Sequence, residues 1–171
     1  QKFANILVDN NYDVILAATN TSYDAISEGG SMHPNCELME ADFKSEDSLS
    51  NLKSKVDSRY GQLDLLINNA EIANGFGQKI DQLNIEEVKE LYEINFFSVI
   101  RMIQLFKPLL EKSDSPRIIN ITSAMGDISK MSDKEFYYSD YCMTAYATSK
   151  AALNMYTHLQ SVMVLRINLS P

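Results

Sequence analysis

The sequence predicts a doubly wound α/β domain built on a parallel sheet. Short apolar runs alternate with stretches of helical periodicity along the whole chain. The runs are apolar at nearly every position, not at every second one, which is the pattern of strands covered on both faces. Polar residues gather just after the ends of these runs, where open α/β sheets carry their ligands. A length of 171 residues suits one domain and not two. With 45% hydrophobic and 22% charged residues, there is enough apolar surface to offset chain entropy, which excludes disorder as the main state.

Residues 3–8 read as the end of a helix, closed by Asn10-Asn11. Residues 12–18 (YDVILAA) are the first strand. Residues 19–35 are polar and hold Gly29, Gly30 and Pro34, so they read as a loop with one short helix. Residues 36–41 form the second strand, which ends at Asp42. Residues 45–60 are helical, with Leu49, Leu52 and Val56 on one face and Gly61 as the closing glycine. Residues 63–67 (LDLLI) are the third strand, followed by Asn68-Asn69-Ala70. After a loop with Gly75 and Gly77, Asn84 opens a long helix, and Glu87 three residues on completes a capping-box-like signal. That helix runs toward Leu110, with Pro108 as a kink or late break. Residues 117–121 (RIINI) are the fourth strand, and 124–142 a long polar and aromatic loop. Residues 144–160 are helical, and 162–169 are expected as a fifth strand before Ser170-Pro171.

Several function classes are excluded. Fifteen Lys and Arg against 23 Asp and Glu give a net charge of −8, and no two basic residues are adjacent. Nucleic acid is therefore not an expected partner. No apolar run approaches the length of a membrane span, since residues 96–110 are broken by Ser98, Arg101, Gln104, Lys107 and Pro108. No secretory signal opens the sequence, and two cysteines are too few for a disulfide framework or a zinc site. A reducing, cytoplasmic setting is the expectation, with no metal, because no His, Cys and carboxylate cluster has ligand spacing. The histidines are His33 and His158, and there is no G-x-S-x-G, which disfavours a Ser-His-Asp hydrolase.

Four residues carry candidate chemistry. Tyr146 and Lys150 stand four apart on an expected helix and so share a face. An ammonium near a phenol favours the phenolate, which turns a poor acid and base into a useful one near neutral pH. Taken alone, such a pair is more often an accident of helix spacing than a catalytic device. Ser123 follows the fourth strand and can donate to a substrate oxygen at the ligand crevice, although a lone serine more often just opens a loop. Asn95 lies among Ile94, Phe96 and Phe97, where a buried amide needs partners; it either bonds neighbouring backbone or holds a water.

The ordered set is more specific than its parts. LDLLINNA at a strand end, Asn95, Ser123, and Tyr146 with Lys150 strongly resemble the short-chain dehydrogenase/reductase family, across essentially the whole chain. The segments ADF around Asp42 and INLSP at the end fit it too. The resemblance implies a single Rossmann-type domain over residues 1–171, three layers thick, incomplete at both ends. It implies hydride transfer between NAD(H) or NADP(H) and a small carbonyl or alcohol substrate. Tyr146 would be the acid or base. Lys150 would lower its pKa and bind the nicotinamide ribose. Ser123 would hold the substrate oxygen, and Asn95 a relay water. Asp42 would approach the adenine, Asn69 and Ala70 would line the adenosine side, and Pro171 would sit near the nicotinamide.

Departures from the family pattern are visible. Its Gly-rich turn does not precede the first strand, and THLQSVMVLRI leaves almost no turn near Gln160-Ser161, as if residues were missing there. Glu71 stands where the family usually has glycine; a carboxylate there either points inward and opposes cofactor phosphates or points to solvent. The first strand ends Ala17-Ala18-Thr19-Asn20, with no acid to grip a ribose diol, so Thr19 and Asn20 with Ser22 favour NADP(H) over NAD(H) through neutral hydrogen bonds. Phe136, Tyr137, Tyr138 and Tyr141 in the loop between Ser123 and Tyr146 suggest an apolar or aromatic substrate, or packing on another subunit. FFSVIRMIQLF is apolar on nearly all sides, and with the family's habit of pairing this helix it implies a homodimer or homotetramer. The competing reading is a catalytically inactive relative that serves as a binding or regulatory module.

Overall fold

The computed structural model describes residues 2–20, 22, 26, 33–78, 80–141 and 143–167. They fall into two compact units, residues 1–62 and 63–171.

In the first unit, α1 (Lys2–Asp9) buries Ala4 and Val8 against Val14, with Leu7 and Cys36 beside them. Asn11 turns the chain at φ 63, a left-handed conformation that asparagine tolerates better than most residues. β1 (Val14–Ala18) pairs in parallel with β2 (Cys36–Glu40), in register from Val14 opposite Cys36 to Ala18 opposite Glu40. α2 (Glu46–Tyr60) follows. Ser45 caps it from extended backbone, its hydroxyl accepting from the Ser48 N–H. Glu46 and Asp47 in the first turn and Arg59 in the last complement the helix dipole. Leu49, Leu52 and Val56 are buried, and Gly61 closes the helix at φ 71. Ser45→Ala removes the cap and is expected to lower stability by about 1 kcal/mol. Urea denaturation checks this, and an unchanged midpoint would mean the cap contributes nothing.

In the second unit, β3 (Leu65–Asn68) pairs in parallel with β4 (Arg117–Asn120), in register from Leu65 opposite Arg117. The Asn68 amide donates to Asn120 Oδ1 at 2.8 Å. α3 (Ile85–Tyr92) is capped by Asn84, which accepts from the Glu86 N–H. Glu87, the expected capping-box partner, accepts from Gln78 at 2.8 Å and from the Asn84 amide at 3.5 Å. A π-helical segment, Glu93–Phe97, joins α3 to α4 (Ser98–Leu110), and Pro108 lies two residues before the end of α4, a late break. After β4 come a 3₁₀ turn (Ala124–Gly126), the short α5 (Ile128–Met131) and α6 (Thr144–Ile167). The core here includes Leu91, Met102, Phe106, Leu109 and Leu153.

Helix and strand alternate, and both pairings are parallel, so the α/β class expected from the sequence is the one observed. The end of the chain differs. Residues 162–167, expected as the start of a fifth strand, continue α6 as helix. No glycine or proline falls between Thr144 and Ile167 to stop it, and Gln160, Met163, Leu165 and Arg166 are good helix formers. Residues 168–171 lie outside the described residues. β4 also departs from the buried-strand expectation: Ile118 and Ile119 are 42% and 44% exposed. Residues 162–167, being helical, add no fifth strand.

Candidate active site

The candidate site lies in residues 63–171, where the ends of β3 and β4 meet α6. Tyr146 and Lys150 are one turn apart on α6, and both are buried, Lys150 to 2% exposure. A buried ammonium needs partners. Lys150 Nζ lies 2.6 Å from Glu71 Oε2 and donates to the Ile121 carbonyl at 3.1 Å. The Tyr146 hydroxyl donates to the same Glu71 oxygen at 3.2 Å and is hydrogen-bonded to Ser123. Ser123 sits just beyond β4, where it also caps the 3₁₀ turn by accepting from the Met125 N–H.

Asn95 is 1% exposed inside the π-helical segment, a helix irregularity often found at functional sites. Its Oδ1 accepts from the Ile72 N–H and its Nδ2 donates to the Ile72 carbonyl, each at 2.9 Å. Nδ2 also reaches Ser149 Oγ at 3.2 Å, and Ser149 donates to the Tyr146 carbonyl at 2.8 Å. The loop after β3, the π-helical segment and α6 are thereby tied at one point. The amide bonds backbone, as one of the two sequence readings has it.

Gly126 explains how the 3₁₀ turn comes so near α6. A Cβ there would lie 2.7 Å from the Lys150 backbone carbon and 2.8 Å from the Ala151 nitrogen. Asn154 holds the same approach by donating to the Gly126 carbonyl at 3.2 Å. Farther along α6, Thr157 accepts from Asn120 at 2.9 Å.

The electrostatics correct one expectation. Lys150 was to pull the Tyr146 pKa down; instead it is raised above the ordinary tyrosine value. Burial is the largest cause, and the Glu71 charge and hydrogen bond add to it, while the Ser123 hydrogen bond opposes it. The carboxylate that pairs with Lys150 adds to the rise that burial produces.

The other sequence candidates are placed as follows. Asn69 and Ala70 lie between β3 and Glu71. Thr19 and Asp42 follow β1 and β2 at one end of that strand pair in the first unit. Thr19 Oγ1 reaches Ser22 Oγ at 3.5 Å, and Asn20 is exposed. Asp42 Oδ1 accepts from the Lys44 N–H at 2.9 Å, and the Asp42 N–H donates to Ser48 Oγ at 2.9 Å. Pro171 lies outside the described residues. Phe136, packed on the core around Leu91, Met125, Met143 and Tyr146, links the aromatic loop to the site. Tyr137, Tyr138 and Tyr141 stack edge-on or tilted beside it and are exposed. Sequence reasoning missed Gly126, Ser149 and Asn154, and left the direction of Glu71 open. Among the described residues there is no cluster of His, Cys, Asp and Glu suited to a metal, and no helix long and apolar enough to cross a membrane.

Parallel βα units with their polar residues at the strand ends define an α/β protein of the Rossmann type, the fold of the solved structures it resembles. The chain belongs to the short chain dehydrogenase family, whose profile matches residues 1–165. It is 30% identical over 162 residues to (+)-neomenthol dehydrogenase of Arabidopsis thaliana, covering 66% of this chain and 54% of the relative. It is 32% identical over 140 residues to 7alpha-hydroxysteroid dehydrogenase of Escherichia coli K12, covering 82% and 49%. Among solved structures, NADPH-bound carbonyl reductase from chicken fatty liver superposes with a TM-score of 0.74 at 26% identity, covering 89% of this chain and 63% of that one. The RhlG/NADP active-site complex of Pseudomonas aeruginosa gives 0.68 at 25%, covering 90% and 57%. The chain spans about half the length of the curated relatives it matches.

Proposed function

We propose that this chain is an oxidoreductase that moves a hydride between a nicotinamide nucleotide, NADP(H) in preference to NAD(H), and a small carbonyl or alcohol substrate. The observation that carries this reading is the cluster at the end of β4 and on α6: a phenol, an ammonium and a serine hydroxyl within one hydrogen-bonded set. These donors suit a ribose diol and a carbonyl oxygen, so the residues present fit a nicotinamide nucleotide. That group supplies the hydride when bound.

In reduction, Ser123 holds the carbonyl oxygen and Tyr146 gives it the phenol proton. In oxidation, Tyr146 takes the hydroxyl proton. Lys150 engages the ribose hydroxyls, with its charge shared with Glu71. Asn95 has its amide occupied by Ile72 and Ser149, so it keeps the loop after β3 in place against α6. Asp42, Asn69 and Ala70 belong to the adenosine side and Pro171 to the nicotinamide side. Thr19 and Asn20 take the 2′-phosphate, since no carboxylate follows β1 to bind a ribose diol. The aromatic loop borders the substrate mouth and favours an apolar or aromatic carbonyl compound. We assign the protein to the cytoplasm, with residues 1–171 as an incomplete Rossmann-type domain. A homodimer or homotetramer would cover Phe97, Met155 and Leu159, which are 44%, 60% and 52% exposed.

The similarity to an NADPH-bound carbonyl reductase supports the cofactor reading. One observation favours the inactive-module reading: Glu71 already occupies the Lys150 ammonium. Fluorescence titration with NADPH and NADH tests the proposal. NADPH is expected to bind the more tightly. Binding of neither at millimolar concentration contradicts the oxidoreductase reading.

A further inference from the structure

We propose that Glu71 is a positioning residue that keeps Tyr146 protonated by taking up the charge of Lys150, which sets this site for carbonyl reduction. The catalytic meaning of this role rests on the oxidoreductase reading above; the placement of the proton does not.

One carboxylate oxygen serves both groups. Glu71 Oε2 is 2.6 Å from Lys150 Nζ and 3.2 Å from the Tyr146 hydroxyl. The phenol donates to that oxygen. A phenolate would have no proton to donate and would face a like charge at the same distance. The ammonium, whose charge would favour the phenolate, has an anion closer to it than any hydrogen-bonded phenol oxygen would be, and opposite charges so close cancel much of each other's field at a third group.

The arrangement is held on every side. Lys150 is 2% exposed and fixed also by the Ile121 carbonyl. The backbone next to Glu71 is clamped, because both polar groups of Ile72 bond to the Asn95 amide. The Glu71 side chain is 40% exposed, so water reaches it. Among the described residues, Glu71 is the anion that acts on the Tyr146 hydroxyl. The core packed against Tyr146 consists of Leu91 of α3, Met125 of the 3₁₀ turn, and Met143 and Ala145 at the start of α6, bordered by Ile72, Val88, Met131, Phe136 and Ala147. The Ser123 hydroxyl is a further polar neighbour of the phenol. The raised Tyr146 pKa agrees in direction, with burial as its first cause. A glycine at position 71, as the family resemblance would have it, has no carboxylate to do this.

The test is an ultraviolet titration of tyrosinate on the full chain. The chain has nine tyrosines, so the Tyr146 signal is taken as the parent minus Tyr146→Phe. The same difference is measured with Glu71→Gln in both members. Glu71→Gln keeps the size and a hydrogen-bond acceptor but removes the charge. Its Tyr146 transition is expected at lower pH than the parent's. Glu71→Asp, which keeps the charge, is expected to stay nearer the parent than Gln does, and Glu71 is exposed enough for both variants to fold. A transition that is unchanged or moves to higher pH in Glu71→Gln overturns the proposal. With NADP(H) and a carbonyl–alcohol pair, the oxidation profile of Glu71→Gln is expected to shift to lower pH together with the titration. A parent chain that titrates as expected but turns over nothing overturns the oxidoreductase reading and leaves the proton placement standing.

Discussion

Tyr146→Phe is expected to abolish turnover while leaving nicotinamide-nucleotide binding intact. The substitution removes one oxygen and keeps the ring. Tyr146 is 8% exposed, and its ring packs in an apolar core with Leu91, Met125 and Met143, contacts that phenylalanine preserves. What is lost is, on the proposed mechanism, the proton given to the carbonyl oxygen, together with the hydrogen bonds to Glu71 and Ser123. General acid catalysis contributes roughly 10²–10⁴-fold in rate, and kcat should fall by that order. Lys150 keeps its ion pair with Glu71 and its bond to Ile121, so the ammonium stays in place for the ribose. The check is kcat beside a direct binding titration. A large loss of kcat with unchanged cofactor affinity supports the assignment. A variant that reduces carbonyls as well as its parent removes Tyr146 from the chemistry.

Gly126→Ala is expected to lower stability by about 1–3 kcal/mol and to reduce activity as well. The new methyl would lie 2.7 Å from the Lys150 backbone carbon and 2.8 Å from the Ala151 nitrogen. Both are backbone atoms of α6 and cannot swing aside as a side chain can. Either the 3₁₀ turn or the helix must move. The turn begins at Ser123 and the helix carries Tyr146 and Lys150, so the movement changes the distances between all three. Misplacement by an ångström is enough to cost a large part of a rate that depends on alignment. Thermal or urea denaturation measures the first effect and kcat the second. Parent-like values of both would mean that the close approach is not part of the site.

Local signals made much of this architecture legible. α2 was readable because its cap, its apolar face and its closing glycine all agree: Ser45 before it, Leu49, Leu52 and Val56 along it, Gly61 after it. The strand ends were readable because polar residues follow apolar runs, and Asn69 and Ser123 fall there as expected. That Tyr146 and Lys150 share a face followed from helix spacing, while their catalytic reading came from the family resemblance. The segment after Gln160 was not readable in the same way. SVMVLRI is apolar and short, and periodicity cannot separate a buried strand from a helix in such a run. With no breaker before it, the helix carries through to Ile167. Glu71 was ambiguous for another reason. A long acidic side chain in a loop has no periodicity, and its direction depends on Lys150, 79 positions later in the sequence. Gly126 gave no turn signal because its requirement is steric and comes from a helix far along the chain.

The central claim is that Ser123, Tyr146 and Lys150 act together on a carbonyl group. Its most direct test is NADPH consumption by the purified full chain offered aromatic aldehydes and ketones, followed across pH. The account predicts carbonyl-dependent oxidation of NADPH that disappears in Tyr146→Phe. Tight NADPH binding without carbonyl-dependent oxidation at any pH would contradict it, and would make the chain a nucleotide-binding module with its lysine held by Glu71.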